Sequence, residues 1–120
     1  MSLTRAGRLQ RRIEVVTGIV RLRSERLAYV ARQRARQGPH PEGHHDPLLD
    51  ALAGDGWWWG EVLGYNRYQP FPIRAVVEGW MNSPTHRAVI TSTFYPRIGC
   101  GVWVDPEGRW YFVAVLGKQS

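Results

Sequence analysis

The last quarter of the chain constrains the fold most. Ile98, Cys100, Val102 and Val104 alternate with Gly99, Gly101 and Trp103. That is the two-residue period of a strand. Asp105-Pro-Glu-Gly108 is a turn, and residues 109–116 form a second strand rich in β-branched and aromatic side chains. The pair predicts a hairpin with a four-residue loop. A hairpin alone is marginal in water, so the rest of the chain must cover it.

Helical signals precede the hairpin. Ser24 offers an N-cap before a helix through about Gln37, with Leu27, Val30, Ala31 and Ala35 on one face and Arg26, Arg32, Arg34 and Arg36 mostly elsewhere. Gly38-Pro39 ends it. Asp46-Pro47 caps and opens a short helix through about Ala53. A helix over 74–82 carries Val76, Val77, Trp80 and Met81 on one face. Ser83 then N-caps a helix beginning at Pro84 and running to about Ser92, which puts His86 in its first turn. Residues 1–17 read two ways: Leu9, Ile13 and Val16 stripe a helix, whereas Val15-Val16-Thr17 suits extended chain. Residues 57–63 are apolar apart from Gly60 and Glu61. No repeat or linker divides the chain. The expectation is one α+β domain with helices over a small antiparallel sheet.

Composition narrows the class. The 120 residues suffice for one domain with its own core. No apolar run approaches the ~20 residues of a membrane-spanning helix, so no transmembrane segment is expected. Residues 1–12 are basic without an apolar stretch and do not read as a signal peptide. The net charge of +6 is concentrated early, since ten arginines from Arg5 to Arg36 face only Glu14 and Glu25. Such asymmetry permits contact with nucleic acid or anionic envelope polymers and lipids. A solvated arginine-rich helix face is the plainer reading. No nucleic-acid fold pattern accompanies the charge, so nucleic acid is not the expected partner. Cys100 is the only cysteine. It cannot form an intrachain disulfide, and among glycines in a strand it reads as a buried, inert thiol.

Few residues carry chemistry. Glu61 has the apolar neighbours Trp58, Trp59, Val62 and Leu63. An acid there either faces a polar cleft at a strand end, is paired with a base, or is satisfied by backbone N–H groups. Desolvation would raise its pKa and suit it to general acid or base work. His86 sits where a helix N-terminus favours the neutral imidazole. The alternative for His86 is a capping or hydrogen-bonded structural role. His40, His44 and His45 share a Gly/Pro-rich loop, and no local zinc signature links them to His86. Nucleophile elbows and phosphate loops are missing. Trp57-Trp58-Trp59 reads first as core or cleft wall and second as a platform for sugars or nucleobases.

From about residue 18 to 117 the chain resembles the CAP superfamily, the cysteine-rich secretory protein, antigen 5 and pathogenesis-related 1 domains, in its small bacterial form. The motifs are Trp80-Met-Asn-Ser-Pro-Thr-His86-Arg87, Gly60-Glu61, Ile98-Gly-Cys-Gly-Val102 and Trp110-Tyr-Phe112. Resemblance implies a three-layer α-β-α sandwich over residues 18–120, preceded by a divergent or partly disordered segment 1–17. It also implies a central cleft lined by His40, Glu61, Ser83 and His86. There His40 and His86 resemble the two cavity histidines, and Glu61 resembles the first acid. The second acid falls at Ser83, which leaves a divalent metal, Zn2+ in the first instance, short of a carboxylate. Val62 replaces the Asn of the family's Gly-Glu-Asn, and Ala114 stands where Gln is common.

The favoured expectation is therefore a secreted or envelope-associated, non-catalytic binding domain whose partner is a lipid, a sterol or an anionic cell-envelope polymer. The alternative is a metal-assisted hydrolase in which His40 and His86 hold zinc and Glu61 activates the bound water.

Overall fold

In the computed structural model, residues 4–38, 46–67 and 71–120 are described. The elements run α1 (Arg5–Thr17), β1 (Leu22–Arg23), α2 (Glu25–Arg36), α3 (Pro47–Gly54), β2 (Trp57–Asn66), α4 (Ile73–Met81), α5 (Pro84–Ile90), β3 (Arg97–Val104) and β4 (Trp110–Gln119). The strands form one sheet in the order β1-β3-β4-β2. β3–β4 and β4–β2 are antiparallel. The two-residue β1 runs parallel to β3 and has no counterpart in the sequence reading. The hairpin is one residue looser than expected, because Arg109 stays in the turn.

Helices cover both faces. Tyr111, Val113 and Val115 of β4 pack with Leu27, Val30, Ala31 and Ala35 of α2 and Leu49 and Leu52 of α3. The alternate residues Trp110, Phe112, Ala114 and Leu116 pack with Leu9 and Ile13 of α1, Val76, Val77 and Trp80 of α4, and Ile90 of α5. β4 is thus buried on both sides, which is why it reads as a continuous apolar run. The ambiguity of the N-terminal segment resolves into helix from residue 5. Thr4 accepts from the Gly7 N–H, and Gly18 closes the helix at φ 71°. Leu9 and Ile13 then anchor α1 in the core.

Two glycines decide how deep α2 sits. A Cβ on Gly99 would lie 2.0 Å from the Ala28 nitrogen, and one on Gly101 would lie 2.3 Å from the Ala31 oxygen. The helix backbone therefore rests directly on β3. On the opposite face Gly64 of β2 leaves room for Val76, which a Cβ would approach to 2.3 Å. The Trp80 indole N–H donates to the Leu63 carbonyl at 2.9 Å and ties α4 to that strand.

Arg21 fixes the loop after α5. Its Nη2 donates to the Ile90 and Ser92 carbonyls at 2.9 and 2.7 Å, and its Nε donates to Tyr95 at 3.0 Å. Burial lowers its pKa from the ordinary arginine value, which the nearby Cys100 only partly opposes. Three carbonyl dipoles hold the cation in place of a carboxylate.

Gly99→Ala and Gly101→Ala should each cost about 3 kcal/mol, the upper end for overpacking, because the obstructing atoms are backbone. Gly79→Ala, at an exposed helical site with nothing within 4 Å of its Cβ, should be neutral or gain up to about 1 kcal/mol. Urea denaturation midpoints of the three variants check this ordering. Equal midpoints for all three would contradict the backbone seat.

Candidate functional site

The seat of α2 delivers Arg34 to the middle of β2. Arg34 follows Leu27 by seven residues and Val30 by four, so it lies on the apolar stripe of α2 and not on the solvated face expected for it. It is 2% exposed. Its Nε donates to Glu61 Oε2 and its Nη2 to Glu61 Oε1, both at 2.8 Å, a bidentate pair. Its Nη1 reaches Gln37 Oε1 at 3.3 Å and Asp46 Oδ2 at 3.4 Å. The other oxygen of Asp46 accepts from the Leu48 N–H at 2.7 Å and caps α3. One cation thus serves two buried carboxylates, and the positive end of α3 helps balance the excess negative charge. Burial alone would lower the Arg34 pKa; Glu61 first and Asp46 second outweigh it and raise it.

Glu61 is therefore the base-paired acid among the three alternatives, in mid-strand and not at a strand end. Its side chain points to the α2–α3 face, as Trp59 and Leu63 do two residues away on either side. α5, which carries Ser83 and His86 at its start, packs on the other face. His86 lies in the first turn of α5 as expected and is half-buried. Ser83 holds the N-cap position but makes no capping bond. Its hydroxyl lies 2.9 Å from His86 Nδ1 instead, so it orients the imidazole. Because Pro84 supplies no N–H at the first helical position, one of the usual donors to satisfy is missing there.

His40, His44 and His45 lie outside the described residues. Among the described residues no three His, Cys, Asp or Glu side chains converge as a metal-binding group. Both Glu61 oxygens accept from a guanidinium, and His86 Nδ1 is taken up with Ser83. Glu61 and His86 thus face opposite sides of the sheet, and no step through a metal is derived from them.

A groove of about 460 Å3 on the α2–α3 face is lined by Gly38, Leu63, Gly64, Tyr65, Arg67, Arg109 and Tyr111. Its aromatic floor is a cluster of rings: Tyr65 is tilted against Tyr111 at 5.5 Å, and Trp103 stacks on Tyr111 at 5.7 Å. Asp105 organises one rim. It accepts from the Glu107 and Arg109 N–H groups at 2.9 Å, from Arg109 Nε at 2.5 Å and from the Tyr111 hydroxyl at 3.3 Å. Burial pushes its pKa up, but these donors win and hold it below the usual carboxylate value. On the other rim Arg67 donates to the Tyr65 hydroxyl at 2.5 Å. The sequence reading missed this groove. Its one local signal was the Asp105–Arg109 spacing across a glycine-containing turn.

Cys100 conforms to the inert reading. Burial pushes its thiol pKa up to about 12, against the opposing pull of Arg23.

Arg34→Met should destabilise by about 3–5 kcal/mol, because it strands buried carboxylates rather than deleting one contact. Unpaired buried carboxyls favour the protonated form, so their folded pKa rises above the unfolded value. The deficit should therefore shrink as pH falls through the carboxylate range and grow as pH rises out of it. Urea titrations at acidic and neutral pH measure it. A deficit below about 1 kcal/mol at neutral pH would show that the pair is dispensable.

The profile of the cysteine-rich secretory protein (CAP) family matches residues 18–116. No curated protein sequence matches the chain. Among solved structures, an outer surface protein from Borrelia burgdorferi superposes with a TM-score of 0.75 at 21% identity, covering 93% of this chain and 90% of that one. The venom allergen-like protein 4 of Schistosoma mansoni gives 0.74 at 13% identity, covering 99% and 91%. A cysteine-rich secretory protein from Staphylococcus aureus gives 0.66 at 17% identity, covering 98% of this chain but 41% of its own. At these identities the likeness speaks for the fold alone, and the profile carries the assignment. The chain belongs to the cysteine-rich secretory protein (CAP) family.

Proposed function

We propose that this CAP domain is an extracellular, non-catalytic binding module for an amphiphilic anion, held in the groove between Gly38 and Arg67. Members of the family are commonly secreted, and no described helix is long and apolar enough to cross a membrane. The observation that carries the reading is the pairing of an apolar, aromatic floor (Leu63, Tyr65 and Tyr111) with guanidinium groups at its rim (Arg67 and Arg109). The floor takes the apolar body of a ligand, and the rim takes its charged head. Arg109 is already neutralised by Asp105 and Glu107. Arg67 has no carboxylate within ion-pair distance among the described residues, so it is the residue assigned to the anionic group. Ser83 and His86 start α5 on the other face of the sheet and take no part in this reading, His40 lies outside the described residues, and Glu61 has a structural role through Arg34.

The hydrolase alternative needs Glu61 as a base for bound water. Its bidentate bond to Arg34 opposes that use, since abstracting a proton would mean breaking a buried ion pair.

Calorimetric titration with fatty acids, sterols and soluble cell-wall fragments tests the proposal. At least one anionic amphiphile should bind, and Arg67→Ala should weaken it by about tenfold, or about 1.4 kcal/mol. His86→Ala should leave zinc uptake unchanged. Silence with all three ligand classes would contradict a binding groove. Zinc binding lost in His86→Ala, together with peptide hydrolysis, would favour the enzyme.

A further inference from the structure

The three tryptophans of β2 do not share a fate. Trp57 and Trp59 point to the α2–α3 face and pack against its core. Trp58 points the other way and is 63% exposed. Next to it in space is Phe94, on the loop after α5 and 48% exposed. Lys118 is directly opposite Trp58 in the β2–β4 register. Its Nζ sits 4.9 Å from the centre of the Phe94 ring. Trp58, Phe94, Lys118 and Ser120 together line one open surface groove.

Among the described residues, the one charged side chain lining this groove is that of Lys118. No acidic residue lines the groove. Lys118 also borders the adjoining groove, which contains Arg97 and the ion-paired Arg23 and Glu25. The Arg23–Glu25 pair is neutral, so Lys118 and Arg97 leave a local charge of +2 (4 ionic groups, 3 positive and 1 negative). Neither has a carboxylate within ion-pair distance among the described residues.

Two protruding aromatic rings flanked by cations with no carboxylate partner among the described residues suit a surface that is apolar below and anionic above. Trp and Phe settle at the boundary of a bilayer, and nearby Lys and Arg meet the headgroups of acidic lipids. A sugar platform would need carboxylates or amides beside the ring to bind hydroxyl groups. Here the groove's one neutral polar side chain, Ser120, already donates to the Gly56 carbonyl at 2.8 Å. We propose that the Trp58–Phe94–Lys118 patch docks the domain on an anionic lipid surface. The patch is at the opposite end of β2 from the Tyr65 groove, seven residues or about 23 Å of extended chain away. It does not rest on the reading of that groove, and either one stands if the other falls.

Co-sedimentation of the full chain with phosphatidylglycerol–phosphatidylcholine vesicles, against phosphatidylcholine alone, tests the assignment. The protein should partition to the anionic vesicles, and added salt should weaken it. Trp58→Ala, Phe94→Ala and Lys118→Glu should each reduce partitioning by about tenfold at unchanged melting temperature, because all three side chains are at the surface. Brominated acyl chains should quench part of the tryptophan emission of the wild type and none of that part in Trp58→Ala. Equal partitioning of wild type and Trp58→Ala would overturn the proposal. So would a Trp58-dependent gain for an anionic polysaccharide or DNA with none for the vesicles.

Discussion

α2 lies against bare backbone, and most of the site follows from that contact. Gly99 and Gly101 remove the two side chains that would hold the helix away from β3. At ordinary helix–sheet spacing the guanidinium of Arg34 would have to extend from a more distant axis to reach β2. With α2 seated on glycine and lined with Ala28, Ala31 and Ala35, Arg34 meets Glu61 with both oxygens engaged. The glycines thus set packing depth, packing depth sets an ion pair, and the ion pair determines what Glu61 can do.

That determination has a direction. A desolvated glutamate in an apolar strand is a candidate base, because burial favours its proton. The same glutamate clamped by a guanidinium has a partner for its charge. The Arg34 network spans the C-terminal turn of α2, the middle of β2 and the N-cap of α3, so it joins three elements. A buried network of this kind adds little net stability over apolar packing, but it penalises any arrangement that leaves a charge alone. Its value is in fixing the α2–β2 geometry.

Much of the architecture was legible in the chain. The Gly-alternating strand, the turn at Asp105 and the apolar run that follows give the hairpin. Ser24, Asp46-Pro47 and Pro84 mark helix starts near where α2, α3 and α5 begin. What stayed hidden depended on tertiary distance. Strand β1 is two residues long and exists only because β3 lies beside it. The charge of Arg34 groups it with the solvated arginines, although its spacing from Leu27 and Val30 puts it on the buried stripe. Residue type outweighed periodicity, and periodicity was the better guide. Ser83 shows the converse: its type and place predict a cap, but His86 competes for the same hydroxyl. The Arg67–Tyr65–Tyr111 groove joins β2 to β4 across the sheet, and no local pattern encodes such a meeting.

The central claim is that Arg34 holds Glu61 as a structural acid. Nitrogen-15 NMR of the arginine Nε–H groups reads that bond directly. A bonded, buried Nε–H exchanges slowly with water, whereas those of solvated arginines exchange fast. The account predicts a slowly exchanging Arg34 resonance at neutral pH that is lost in Glu61→Ala and unmoved by added zinc. An Arg34 signal that exchanges like the surface arginines, or one that zinc displaces, would contradict it.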